Sequence, residues 1–82
     1  MKSIKAVRIT KRDFLYLQSR QILSAFKKAV EKLKSGDFAG LDFKKREPKT
    51  HNIWSFRINK KYRALCTKTG DLLKITKIDD HQ

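Results

Sequence analysis

Eighty-two residues make a single domain with room for only a modest core. Hydrophobic residues at 39% suffice for a fold, while 35% charged residues and a formal net charge of +13 surround it with positive potential, so the partner to expect is polyanionic: nucleic acid, an acidic protein, or both in turn. No stretch approaches the length of a membrane span, and the opening MKSIKAVRIT carries charges where a signal peptide needs an apolar run; a cytoplasmic protein without a membrane partner is expected.

Along the chain, Ile4, Ala6, Val7 and Ile9 lie among basic residues from Lys2 to Ile9 and suggest a first strand. Thr10-Lys11-Arg12-Asp13 resembles a capping box and predicts a short helix to about Gln18. Its apolar residues Phe14, Leu15 and Leu17, with Tyr16, are too dense to share one face. Ser19 is positioned to start or cap a second helix, in which Ile22, Leu23, Phe26, Ala29, Val30 and Leu33 recur at intervals of three and four. Lys27, Lys28, Glu31, Lys32 and Lys34 fill the other side and read as solvated charge. Gly36 closes this helix, because glycine readily takes the left-handed conformation of a helix C-terminus.

The next segment, DFAGLDFKKREPKT, reads as a long connection, with Phe38, Leu41 and Phe43 expected to pin it onto the helices before the run Lys44-Lys45-Arg46. From Trp54 to Asn59 the period changes to two, with Trp54, Phe56 and Ile58 facing a core and Ser55, Arg57 and Asn59 opposite. After Lys60-Lys61 the alternation resumes: Tyr62, Ala64 and Cys66 on one side, Arg63, Leu65 and Thr67 on the other. A turn at Lys68-Thr69-Gly70-Asp71 leads into a last strand from Leu72 to about Ile78. The order β-α-α-β-β-β predicts an α+β domain with two N-terminal helices packed on one face of a small antiparallel sheet.

Paired as a hairpin, the two middle strands put Arg57 and Arg63 on the same open face. Guanidiniums there, with Lys60 and Lys61 at the turn, suit a phosphate better than an apolar ligand. Between Glu47 and Asp71 no acidic residue occurs, whereas Lys49, Arg57, Lys60, Lys61, Arg63 and Lys68 do. Lys44, Lys45, Arg46, Lys49, His51, Lys60 and Lys61 are the candidate nucleic-acid-binding residues around this pair. Trp54 and Tyr62 could stack on bases, but their parity places them with the core. Two histidines, one cysteine and scattered carboxylates show no recognised ligand spacing, so neither metal nor cofactor is expected. Cys66 has no partner for an internal disulfide and reads as a small buried residue in a reducing compartment.

The elements in this order, with Trp54-Ser55-Phe56-Arg57-Ile58, Tyr62-Arg63-Ala64 and a closing Ile78-Asp79-Asp80-His81, resemble the RelE/ParE superfamily of toxins from bacterial toxin–antitoxin systems over nearly the whole chain. The resemblance implies a RelE-like fold and a metal-independent, ribosome-dependent endoribonuclease that cuts mRNA, with a cognate antitoxin as partner and a monomer when free. It also implies roles. Arg57 and Arg63 match basic positions used by the RNA-cutting members, and His81 lies at or beside their catalytic arginine or histidine. RNA supplies its own 2′-hydroxyl nucleophile, so His81 would transfer protons, with His51 as the fallback, while Arg57 and Arg63 hold the phosphate. Ser55 stands where the best-known member has a lysine. One branch of the superfamily poisons DNA gyrase, which leaves a non-hydrolytic gyrase-binding toxin or an inactive nucleic-acid-binding relative as alternatives.

Overall fold

In the computed structural model, which describes residues 4–80, Thr10 is the point where extended chain gives way to helix. Its hydroxyl accepts the N–H of Asp13 at 3.2 Å, satisfying one of the free donors of the first turn. Strand β1 (Ala6–Arg8) precedes it and helix α1 (Lys11–Ser19) follows. The second helix starts later than the sequence suggests. Ser19 does not cap it: its hydroxyl donates back to the Tyr16 carbonyl at 2.8 Å, and Gln21, at φ 60°, turns the chain before α2 (Leu23–Ser35). Gly36 ends α2 at φ 82°, with its N–H bonded to Leu33 O, the left-handed close expected of glycine.

The connection after α2 contains a strand where only loop was expected. Leu41 enters the core, its carbonyl accepts the Arg57 N–H at 2.6 Å, and β2 (Lys44–Lys45) then pairs with the first strand of the hairpin. Phe38 and Phe43 pack against the core as expected and stack in series onto Trp54, with ring centroids 5.3 and 5.1 Å apart. This aromatic row holds β2 against the sheet edge. A 3-10 turn (Lys49–His51) leads into β3 (Ile53–Arg57), followed by β4 (Tyr62–Thr69) and β5 (Leu72–Asp80).

The five strands order as β1-β5-β4-β3-β2. Hairpins make β3, β4 and β5 antiparallel, but β1 runs parallel to β5, so the sheet is mixed rather than wholly antiparallel. No tight turn joins β1 to β5; the helices carry the chain away from β1, which frees its direction from the hairpin rule. The helices cover one face of the sheet. There Leu17, Phe26, Ala29 and Leu33 meet Phe56, Ala64, Cys66, Leu73 and Ile75, all but fully buried. A bulge between Leu65 and Cys66 leaves Thr76 without an opposite residue, which lets Ile75 and Ile78 both face the core although three positions apart. No helix among the described residues is long and apolar enough to cross a membrane.

Candidate functional site

Alternation along the strands leaves every second side chain on the sheet face away from the helices, and the observed register sorts these into rows. Arg57 of β3 is the direct partner of Arg63 on β4, which in turn pairs with Asp79 on β5. Directly paired residues in an antiparallel sheet have Cα atoms about 4.5–5.5 Å apart, so the two guanidiniums share one patch of surface. The next row runs Lys44, Ser55, Leu65 and Lys77. A third runs Ile53, Thr67, Lys74 and Arg8. Arg8, Lys74 and Lys77 thus belong to the basic face although the sequence reading did not single them out. The signal for Lys74 was present, since it alternates with buried Leu73 and Ile75; Lys77 depends on the bulge.

The two arginines are held differently. Arg57 is exposed. Arg63 keeps only 12% of its side chain accessible, and its Nη2 lies 2.9 Å from Oδ2 of Asp42. Lys44 Nζ approaches the same oxygen at 3.5 Å. The Arg63 guanidinium, through that hydrogen bond, together with Lys44 holds the Asp42 carboxyl below its ordinary value of 3.8. The strands themselves bring no carboxylate to Arg57. The one that meets Arg63 comes from the connection, where Asp42, at φ 50°, follows the docked Leu41. Arg63 Nη1 is buried with no hydrogen-bond partner among the described residues, so the guanidinium retains an unused donor.

Lys44, Lys45, Arg46 and Glu47 surround Arg63 in an open cavity of about 510 Å³. Ser55 lies on this face but is fully buried, contrary to the solvent-facing position its parity suggested. Arg46 covers it, donating from Nη1 to Ser55 Oγ at 3.4 Å, and β2 lies alongside. The remaining candidates spread out. Lys49 and His51 occupy the turn before β3, and His51 is two residues beyond Ile53, the end of β3 opposite Arg57. The four steps from Ile53 to Arg57 span about 13 Å, so the fold does not bring His51 to the arginine pair. Lys60 and Lys61 sit in the β3–β4 turn, where Asn59 Oδ1 accepts the N–H groups of Lys61 and Tyr62 at 2.8 and 2.9 Å. Lys61 reaches Asp80 at 3.9 Å and lies over the Tyr62 ring. His81 lies outside the described residues.

Tyr62 is buried edge-on to Tyr16, with centroids 6.3 Å apart. Trp54 is half-buried between Phe43 and Lys68, its indole N–H donating to Asn52 Oδ1 at 3.0 Å. Burial pushes the Cys66 thiol up to about 12, which makes it inert as a nucleophile in the folded chain. Among the described residues no three His, Cys, Asp or Glu side chains are grouped to hold a metal ion.

Two helices packed on one face of a five-stranded sheet agree with the RelE-like α+β fold expected from the sequence, and solved toxin structures share that fold. The YoeB/ParE toxin from Agrobacterium tumefaciens superposes with a TM-score of 0.67 at 20% identity over 100% of both chains. The YoeB dimer from Staphylococcus aureus gives 0.68 at 15% identity, again over 100% of each. In the YoeB-YefM complex from Staphylococcus aureus the match covers 93% of this chain and 95% of the other, with a TM-score of 0.67 and 17% identity. The likeness is one of fold. In sequence, no family model and no curated protein matches the chain.

Proposed function

We propose that this chain is the toxin of a toxin–antitoxin pair and that it cuts messenger RNA on the ribosome without a metal, restrained by an antitoxin protein. It acts in the cytoplasm and is a monomer when free. The observation that carries this reading is the cross-strand arginine pair on the open face: Arg57 exposed, Arg63 oriented by Asp42. The two cations, one exposed and one oriented by Asp42, bracket one phosphodiester and stabilise the charge that grows on its non-bridging oxygens. The 2′-oxygen attacks phosphorus, a 2′,3′-cyclic phosphate forms, and the 5′-oxygen of the next nucleotide leaves with a proton. His81 takes the role of proton carrier.

A gyrase-binding toxin of the same fold is the second reading, favoured by Ser55, which is buried beneath Arg46 where the resemblance implies a lysine in the RNA-cutting members. The two readings separate in cells. Expressed without its partner, the chain should stop protein synthesis before DNA synthesis in pulse labelling, and early failure of DNA synthesis with continuing translation would transfer the case to gyrase. On programmed ribosomes, His81→Gln should lower single-turnover cleavage about 10²–10⁴-fold. Activity within a few-fold of wild type removes His81 from the mechanism.

A further inference from the structure

Arginine holds phosphate best as a fork, with two N–H groups of one guanidinium on two oxygens. Arg63 does not present such a fork. Its Nη1 is buried, its Nη2 lies 2.9 Å from Asp42 Oδ2, and only 12% of the side chain is accessible. Lys44 Nζ lies 3.5 Å from the same carboxylate oxygen. One oxygen of Asp42 therefore sits between a guanidinium and an ammonium, the setting that suits a non-bridging oxygen of phosphate. This carboxylate is not locked in place. Its side chain is 38% exposed, and the residue stands at φ 50° in the connection, directly after the buried Leu41. Rotation about the Asp42 Cα–Cβ bond alone frees the guanidinium while Leu41 and β2 stay docked.

We infer that Asp42 is a built-in competitor of the phosphate: in the free chain its carboxylate occupies Arg63 and Lys44, and RNA engages Arg63 only by displacing it. The inference rests on the arginine-pair reading given above and concerns how that site is regulated. A site that is mostly closed binds its ligand more weakly, in proportion to the fraction that is open. Two ligands meet this cost differently. A lone anion exchanges one set of contacts for another and gains little. A phosphodiester chain also reaches the exposed Arg57, across the ladder from Arg63, and Lys45 and Arg46 border the same cavity. Among the described residues, Asp42 pairs with Arg63 and Lys44 alone, so a strand held at several points displaces it where a stray anion does not. Asp79 provides the contrast. It lies directly across from Arg63 on β5 but makes no ion pair among the described residues, so it adds negative charge to the face without occupying the guanidinium.

The test uses the full chain, isotope-labelled, with inorganic phosphate and then a short single-stranded RNA oligonucleotide as probes, at matched ionic strength. In wild type the Asp42 carboxyl carbon and the Arg63 Nε–H signal should move together as RNA is added, because one contact is exchanged for the other. Asp42→Asn keeps the size of the side chain and removes its charge, and circular dichroism will verify its fold. It should bind both probes about three- to tenfold more tightly at Arg63, between the effect of an exposed ion pair and that of a charge-assisted hydrogen bond. Asp79→Asn makes the same change in net charge and should gain clearly less. The inference is overturned if the two variants gain equally, since the effect is then one of overall charge. It is also overturned if Asp42→Asn binds more weakly than wild type, if the Arg63 signal moves while the Asp42 carboxyl does not, or if neither probe moves Arg63. Displacement of Asp42 by RNA in a chain that cuts no message on programmed ribosomes sinks the nuclease reading alone. Cleavage by a chain whose Asp42–Arg63 contact survives RNA binding sinks this inference alone.

Discussion

Arg57 and Arg63 face each other across the hairpin, yet substitution should separate them. Arg57 is exposed and its side chain has no carboxylate partner among the described residues, so Arg57→Ala should leave the melting temperature nearly unchanged while weakening RNA cleavage. Arg63 is mostly covered and bonded to Asp42, so Arg63→Ala strips a buried stem and a charge-assisted hydrogen bond along with the phosphate contact. Its melting temperature should fall as well, by about 4–8 °C for each 1 kcal/mol lost in a domain of this size. Equal melting curves for the two variants would contradict the covered position of Arg63. Asp42 adds a pH dependence. Its carboxyl is held below 3.8 when folded, so its contribution is fully present above that value and is lost as pH falls through the lowered folded value. Wild type should therefore lose stability relative to Asp42→Asn below about pH 3.8, and denaturant midpoints across pH 5 to 2 measure it. A constant difference over that range would show that the pair does not couple to folding.

At the scale of elements, β2 is the piece on which the basic cavity depends and the piece with the least holding it. Only two residues long, it is kept in place by the Phe38–Phe43–Trp54 row and by the backbone bonds from Arg57 N to Leu41 O and from Arg46 N to Ile53 O. Phe43→Ala removes the middle ring. Because Phe43 is only half-buried, the global cost should stay below the roughly 3–5 kcal/mol of a fully buried phenylalanine. The local cost should be larger in proportion. Amide exchange should accelerate at Arg46 and Arg57, while Ala64 and Cys66 in the central strand stay protected. Uniform acceleration across the sheet would mean that β2 is not a separate opening unit. RNA affinity should drop with the local opening, since Lys44, Lys45 and Arg46 lose their fixed position around Arg63.

For the whole molecule, a net charge of +13 makes any RNA binding a counterion-release process. If about four phosphates are engaged, log K should fall with log salt at a slope near −2.8 for a single strand. Which face does this is measurable. Lys77→Ala, on the open face beside Leu65, should reduce the slope by about 0.7, whereas Lys34→Ala on α2 should leave it unchanged. The opposite pattern would move RNA binding to the helix side.

Much of this architecture is local chemistry and was legible in the residues. Thr10 capping α1, Gly36 closing α2, the three- and four-residue spacing of Phe26, Ala29 and Leu33, and the alternation that buries Phe56, Ala64 and Cys66 beneath Arg57 and Arg63 all depend on neighbours a few positions away. Hairpin connectivity then forces the arginines onto one face, because side chains alternate strictly along both strands. The tertiary structure alone decided the rest. The parallel pairing of β1 with β5, the docking of Leu41 and β2 against β3, the burial of Ser55 under Arg46, and the meeting of Arg63 with Asp42 join segments far apart in sequence. None has a periodic signature, because each is fixed by how the connection after α2 fills the edge of the sheet. The same packing distributes the cations that composition could only count, giving the open face its arginine pair.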